Sequence, residues 1–272
     1  MSRVPSPRRD GTLVVGDDPV HRAIGRQRAS GSRRSRDDCG SLATSPGLIP
    51  FAMTRTRRTL DLLTALLAWS ALVLQFVLMQ RQAHQVSHEW MTLRYFSYFT
   101  ILSNLGVALA CSLAWIGRDT RAGRLAAHPA VRAALTLYIL VTASVYHLLL
   151  AGLWRPQGLQ LLADALLHTA VPALYAGGWL LLAPSRTLRW RQAFYWLPFP
   201  GVYLAWALLL GRVLHVYPYP FIDLNRLDLA LVLRNAAAMG LLFLALGALL
   251  VAWNRRPAWR RGASATVSEP QG

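Results

Sequence analysis

The chain has 272 residues, of which 54% are hydrophobic and only 15% are charged. This composition excludes an ordinary soluble domain and indicates a membrane protein. The formal net charge of +17 is of the size found in nucleic-acid-binding proteins. Every basic residue is an arginine, however, and the arginines cluster between apolar stretches. We therefore expect the lipid bilayer, and not nucleic acid, as the partner of this chain.

The N-terminal segment, residues 1–52, is rich in Arg, Ser, Asp, Gly and Pro and has no apolar periodicity. Such a segment buries too little apolar surface to offset its ordering entropy, so we predict a disordered tail. It lacks the apolar stretch of a secretory signal. Met53, directly before an arginine-rich flank, is an alternative start of the protein. Residues 257–272 are predicted to form a short cytoplasmic tail.

Six apolar stretches follow the tail, and each is long enough to cross a hydrocarbon core of ~30 Å. They cover about residues 60–80, 95–116, 133–154, 159–183, 194–214 and 229–253. A soluble bundle would show a polar stripe on each helix, whereas these stretches are apolar nearly all round. The sequence therefore predicts an all-α domain of six transmembrane helices over residues 53–256.

The arginines of the connecting segments predict the orientation of this domain. With the N-terminus in the cytoplasm, fourteen of these arginines lie on the cytoplasmic side and five on the other. Cytoplasmic loops carry an excess of basic residues, so we expect both termini inside. We expect the protein to be a multi-pass protein of the cell membrane.

Polar side chains from three predicted spans share one depth. Thr100 in the second span, His147 in the third, and Asp164 and His168 in the fourth all lie ~8–14 Å below the outer surface at 1.5 Å per residue. Asp164 and His168 are four residues apart and share a helix face. Ionisable groups inside a membrane are costly and mark candidate functional sites.

This layer contains the residue types of nucleophilic catalysis. A hydroxyl nucleophile needs a base within hydrogen-bond reach and a third group that orients the base. Thr100 supplies the hydroxyl, His168 the base and Asp164 the orienting group, while His147 is a second base or an oxyanion partner. Two nearby hydroxyls are alternative nucleophiles, those of Ser97 and Ser103.

Two other interpretations of the layer stay open. A zinc site would use His147, His168 and Asp164, with His215 from the loop after the fifth span, but the spacing matches no compact metal motif, so we expect neither a metal nor a cofactor. In the second interpretation, the polar groups have no chemical role and only tie helices together by hydrogen bonds.

Two further features concern the ends of the spans. The segment 211–225, rich in aromatic residues and proline, lies on the predicted outer side and suits a rigid loop that caps a cavity. Asp61, one turn from the arginines at 55–58, is expected to reach the inner interface with its carboxylate.

Three segments resemble a known family: residues 94–104 (RYFSYFTILSN), 168–172 (HTAVP) and 217–223 (YPYPFID). They are similar to the bacterial Pr-six-Pr family of six-span membrane proteins, and the resemblance covers about residues 58–254. A more distant similarity is to the androgen-induced and androgen-dependent TFPI-regulating proteins. Those are membrane hydrolases of fatty acid esters of hydroxy fatty acids that use an intramembrane Thr and His.

The resemblance implies that Thr100 and His168 hold the positions of that threonine and histidine. The leading hypothesis is therefore an intramembrane hydrolase of a lipid ester. The rival hypothesis is a membrane protein without enzymatic activity, such as a transporter, a lipid-binding protein or a scaffold component.

Overall fold

The structure is a computed structural model, and it describes residues 55–82, 86–117 and 119–256. The tails predicted at 1–52 and 257–272 lie outside the described residues. Within the described part, the chain forms ten α-helices, two π-helical segments and one short 3-10 helix, Pro220–Ile222. The α-helices are α1 (Arg55–Arg81), α2 (His88–Phe96), α3 (Phe99–Ile116), α4 (Arg121–Ala127), α5 (Pro129–Val145), α6 (Leu159–Ala165), α7 (Val171–Leu182), α8 (Gln192–Tyr195), α9 (Pro198–Leu214) and α10 (Leu229–Arg255).

Six helical stretches are long and apolar enough to cross a membrane, which confirms the predicted all-α, six-span architecture. They are Arg55–Arg81, Phe99–Ile116, Pro129–Leu150, Leu159–Leu182, Gln192–Leu214 and Leu229–Arg255. Many of their large apolar side chains are exposed, among them Leu66, Val73 and Leu181. Exposed apolar surface of this extent suits a bilayer. The chain is thus a multi-pass membrane protein.

The bundle packs through small residues on one side. In α1, Ala65, Ala68 and Ala71 are buried at helical spacing, and they face the part of α3 that contains Val107 and Ala108. Small side chains let two backbones approach closely, which favours helix association in membranes. This contact fixes α3 and therefore the residues at its N-terminal end.

Aromatic side chains fill the other half of the bundle, between α3, α5, α9 and α10. The ring of Phe99 lies 5.0 Å from that of Tyr203 and 5.7 Å from that of Phe243, both in edge-on or tilted arrangements. Such aromatic pairs add to the energy of apolar burial. Phe99 is the first residue of α3, so this cluster holds the start of that helix inside the bundle.

The second predicted span is broken where α2 ends and α3 begins, at Ser97 and Tyr98. A break frees backbone carbonyls, which need partners inside a membrane protein. The Tyr203 hydroxyl donates to the Ser97 carbonyl oxygen at 2.8 Å, and the Trp206 indole donates to the Phe96 carbonyl oxygen at 3.3 Å. Side chains of α9 thus satisfy the break, which leaves α3 with an N-terminus within the bundle.

Asp61 was expected to reach the inner interface with its carboxylate, but the structure places this carboxylate inside the bundle. It is 3% exposed, and Arg132 donates to both of its oxygens, at 2.7 and 3.0 Å. The Arg57 guanidinium lies 3.4 Å from the same carboxylate. Removing a carboxylate from water is offset here by two guanidinium groups. The residues therefore form a buried ionic cluster that joins α1 to α5.

Candidate active site

Thr100 lies in the first turn of α3, and its side chain faces His168 of the fourth span. The Thr100 Oγ1 atom is 3.3 Å from Nε2 of His168, although the two residues are 68 positions apart. Thr100 is 8% exposed. A nucleophile and its base often stand slightly beyond ideal hydrogen-bond distance when no substrate is bound. The two residues therefore have the geometry of a nucleophile and a general base.

The other ring nitrogen of His168 faces two acceptors, both from Asp164. Its Nδ1 lies 3.1 Å from the Asp164 carbonyl oxygen and 3.2 Å from the carboxylate Oδ1. Oδ1 itself has no aligned hydrogen bond among the described residues, so we assign the Nδ1–H bond to the carbonyl and treat the carboxylate as an electrostatic neighbour. With the proton on Nδ1, the neutral ring presents Nε2 to Thr100 as an acceptor.

Tyr146 completes the surroundings of this histidine. Its ring stacks on the His168 ring with centroids 3.7 Å apart and planes 12° apart. Its hydroxyl donates to Oδ2 of Asp164 at 2.5 Å. One tyrosine thus limits the rotation of both the imidazole and the carboxyl group, which keeps Nε2 directed at Thr100.

Two π-helical segments shape the site: Tyr146–Leu150 follows α5, and Leu166–Ala170 connects α6 to α7. The second segment precedes Pro172, which has no N–H to donate to the carbonyl of His168 four residues earlier. The chain adjusts with a wider turn, in which the Val171 N–H donates to the Leu166 carbonyl oxygen. Such single-turn bulges occur often at functional sites. Here one bulge carries His168 and the other carries Tyr146.

Tyr219, like Tyr146, is a site residue that the sequence analysis missed. It lies in the loop between α9 and α10, and its hydroxyl accepts from the Thr100 backbone N–H at 3.3 Å and lies 3.4 Å from Thr100 Oγ1. Burial raises the pKa of Tyr219, so its hydroxyl keeps its proton. The loop was predicted to cap a cavity, and the repeated Tyr-Pro pattern was the available signal. Nothing in the sequence indicated that this tyrosine reaches Thr100.

Asn104 fixes the distance between the two helices that meet at the site. Its Nδ2 donates to the Thr100 carbonyl oxygen at 2.8 Å and to the Leu167 carbonyl oxygen at 3.1 Å. Asn104 is fully buried. One amide group therefore connects the start of α3 to the π-helical segment that carries His168.

The alternative nucleophiles are occupied elsewhere. The Ser97 hydroxyl donates to the Arg94 carbonyl oxygen at 2.7 Å. The Ser103 hydroxyl is 2.8 Å from the Thr142 hydroxyl. The Ser97 contact is local to the end of α2, whereas the Ser103 contact ties α3 to α5. In the described part of the chain, Thr100 is the candidate among these three whose hydroxyl contacts His168.

His147 does not join the site. Its side chain is exposed, and its Nε2 lies 3.1 Å from the Thr169 hydroxyl. His147 and Thr169 follow Tyr146 and His168 by one residue and therefore point to another face of their helices. No group of three metal-binding side chains occurs among the described residues, so the zinc arrangement with His147, His168, Asp164 and His215 is not assembled there.

Two cavities meet at Thr100. The first, of about 390 Å³, has the polar residues Gln75, Gln160 and Arg94 in its wall together with Asp164 and His168. The second, of about 280 Å³, lies between α3, α5, α9 and α10 and is lined almost entirely by apolar side chains. The walls of both include Thr100, Leu150 and Tyr219. The Thr100 hydroxyl is thus at the boundary between a polar and an apolar compartment.

Comparison of the chain with protein-family models, with curated proteins and with solved structures finds no match. The resemblance to the Pr-six-Pr family stays a prediction from the sequence.

Proposed function

We propose that this membrane protein is an intramembrane hydrolase of lipid esters, with Thr100 as the nucleophile and His168 as the general base and acid. The contact of 3.3 Å between Thr100 Oγ1 and His168 Nε2 carries this proposal. The side chains come from different spans, and a nucleophile paired with an oriented base is the arrangement that acyl transfer requires.

In the first half of the reaction, Thr100 Oγ1 attacks the ester carbonyl carbon while its proton passes to His168 Nε2. The Tyr219 hydroxyl donates to the oxygen that becomes negative. The bond from the carbonyl carbon to the alcohol oxygen then breaks. His168 returns the proton to that oxygen, so that the alcohol leaves and the acyl group remains on Thr100.

Water completes the second half. A water molecule from the polar cavity attacks the acyl carbon and gives its proton to His168. The bond between the acyl carbon and Thr100 Oγ1 breaks, His168 returns the proton to Oγ1, and the free fatty acid leaves. The positioning groups are Asp164 and Tyr146, which hold the tautomer and the orientation of His168.

The orientation and location of the protein belong to the same proposal. The arginine distribution supports cytoplasmic termini in the cell membrane, and the site is then in the outer half of the bilayer. An ester lipid of that leaflet reaches the site from the side.

Turnover of fatty acid esters by the purified full-length protein tests this proposal. We expect hydrolysis by the wild type and a loss of at least about 10³-fold in kcat for Thr100→Ala. Equal turnover by the two proteins would refute the proposal and favour a role of these hydrogen bonds in helix packing alone, as in a scaffold or transport protein.

A further inference from the structure

Among the described residues that line the apolar cavity, Thr100 and Tyr219 are the polar ones that also line the polar cavity. The other polar residues that line the apolar cavity have partners, because the Thr142 hydroxyl donates to the Tyr138 carbonyl oxygen at 3.0 Å and the Tyr203 hydroxyl donates to the Ser97 carbonyl oxygen at 2.8 Å. Its remaining walls are hydrocarbon and glycine. A ligand that suits this cavity therefore has a polar group at one end and hydrocarbon along the rest.

Two glycines line this cavity, one on each of two helices. Gly201 of α9 and Gly240 of α10 both line the cavity, and a Cβ atom at either position would meet no heavy atom within 4 Å. The side chain of any larger residue would therefore enter free space. Pro200 precedes the first glycine, and Met239 precedes the second.

The helices α9 and α10 pack against other elements and barely against each other. Gly201 is exposed and Gly240 is half-buried, so the cavity approaches the lipid-facing surface between them. The bilayer supplies hydrocarbon chains on that side. Among membrane components, the acyl chain of a lipid is hydrocarbon along its length and has one polar end, which matches the lining of this cavity.

The cavity volume limits the part of a chain that it encloses. In another protein a dry cavity of ~150 Å³ holds benzene, which has six carbons. At that ratio, a volume of about 280 Å³ holds a chain of roughly 11 carbons.

We propose that this cavity binds the acyl chain of the ester substrate, with the carbonyl at Thr100 and the chain between α9 and α10, and that Gly201 and Gly240 set the chain length it encloses. This inference rests on the proposed hydrolase function for its link to catalysis, while the binding of a chain is independent of turnover. The alcohol part of the ester then occupies the polar cavity that contains Asp164 and His168.

The first arm of the test compares chain lengths. The rate of hydrolysis of p-nitrophenyl butanoate, octanoate and dodecanoate is measured for the wild type and three variants. The variants are Gly240→Leu, Gly201→Leu and the control Gly177→Leu. Gly177 also has no heavy atom within 4 Å of an added Cβ, but it lines none of the described cavities. Each methylene excluded from apolar surroundings costs about four-fold in affinity.

We expect Gly240→Leu to lower kcat/KM for dodecanoate at least about ten-fold and to leave butanoate within about two-fold. Gly201→Leu is expected to lower kcat/KM for dodecanoate as well. The comparison can therefore still be made if one of the two variants fails to fold. Gly177→Leu is expected to keep the wild-type profile. Unchanged profiles in both cavity variants would overturn the acyl-chain site.

The second arm detects binding without turnover. Dodecanoic acid with a terminal diazirine is photolysed with the protein in nanodiscs, and labelled peptides are identified by mass spectrometry. We expect labels at cavity residues of α10, such as Met239 and Phe243, and loss of these labels in Gly240→Leu. Labelling without hydrolysis of any ester would support the chain site and refute the hydrolase function. Hydrolysis without labelling of the cavity walls would support the hydrolase function and overturn the chain site.

Discussion

The hydroxyl of Thr100 and Nε2 of His168 lie 3.3 Å apart, on two spans that meet within the membrane bundle. The contact is partly buried, with the ring of Tyr146 against His168 and the hydroxyl of Tyr219 near Thr100. Asn104 connects the two backbones, and Tyr146 stacks on the imidazole. A pair held in this way is preorganised, which lowers the cost of reaching a transition state.

Replacement of Tyr219 by phenylalanine tests the assignment of the oxyanion donor. Because the hydroxyl would donate mainly to charge that develops in the transition state, we expect Tyr219→Phe to lower kcat about 10²-fold with little change in KM. Tyr217→Phe, in the same loop, is the control, since that ring packs over Gly211 and lines none of the described cavities. Equal loss in both variants would instead indicate a general effect on the loop.

Replacement of Asp164 by asparagine tests the positioning of His168. The Nδ1–H group retains the Asp164 carbonyl oxygen at 3.1 Å as its acceptor. We therefore expect a loss in kcat of about 10- to 100-fold, smaller than the ~10⁴-fold loss on the same change in a Ser-His-Asp triad.

The carboxyl group of Asp164 also accepts from Tyr146, so Tyr146→Phe is expected to reproduce part of the loss. The pH profile of kcat/KM separates positioning from simple packing, because a change in the surroundings of the imidazole moves the acidic limb. Wild-type kcat and an unmoved limb in Asp164→Asn would contradict the positioning role.

The ion pair of Asp61 and Arg132 predicts an effect on stability. Asp61→Ala leaves a buried guanidinium without its main partner, so we expect the protein to lose about 3–5 kcal/mol of unfolding free energy, measured by denaturation in detergent. The double variant Asp61→Leu with Arg132→Met is expected to recover only part of this loss, because Arg57 stays buried without this carboxylate.

The control is Arg226→Ala, because Arg226 pairs with Asp223 while 79% exposed, and exposed pairs contribute about 0–1 kcal/mol. A loss in Asp61→Ala no larger than in this control would contradict the structural role of the cluster.

The sequence alone predicted the six spans. It also predicted that Thr100, Asp164 and His168 share one layer of the bundle. Apolar length defined the spans, and depth along alternately directed helices brought the three residues to one layer. Depth does not determine which way a side chain faces around its helix. This is why His147, at the same depth, was grouped with them although it is exposed beside Thr169.

Contacts between segments that are distant along the chain could not be predicted from the sequence. Tyr219 reaches Thr100 over 119 positions, and its hydroxyl position depends on how the loop folds between helix ends. Asp61 was expected at the interface because arginines flank it, but its main partner is Arg132, 71 positions away. The π-helical form of the turn before Pro172 and its effect on His168 appeared only in the structure.

The most direct test of the central claim is the covalent labelling of Thr100. An alkyl fluorophosphonate reacts with a hydroxyl that a neighbouring base activates, and intact mass followed by peptide mapping locates the adduct. We predict one adduct per chain on Thr100, absent in Thr100→Ala and strongly reduced in His168→Gln, with normal labelling in the control His147→Gln. No adduct, an adduct on Ser103, or equal labelling of the wild type and His168→Gln would contradict a Thr100–His168 catalytic pair.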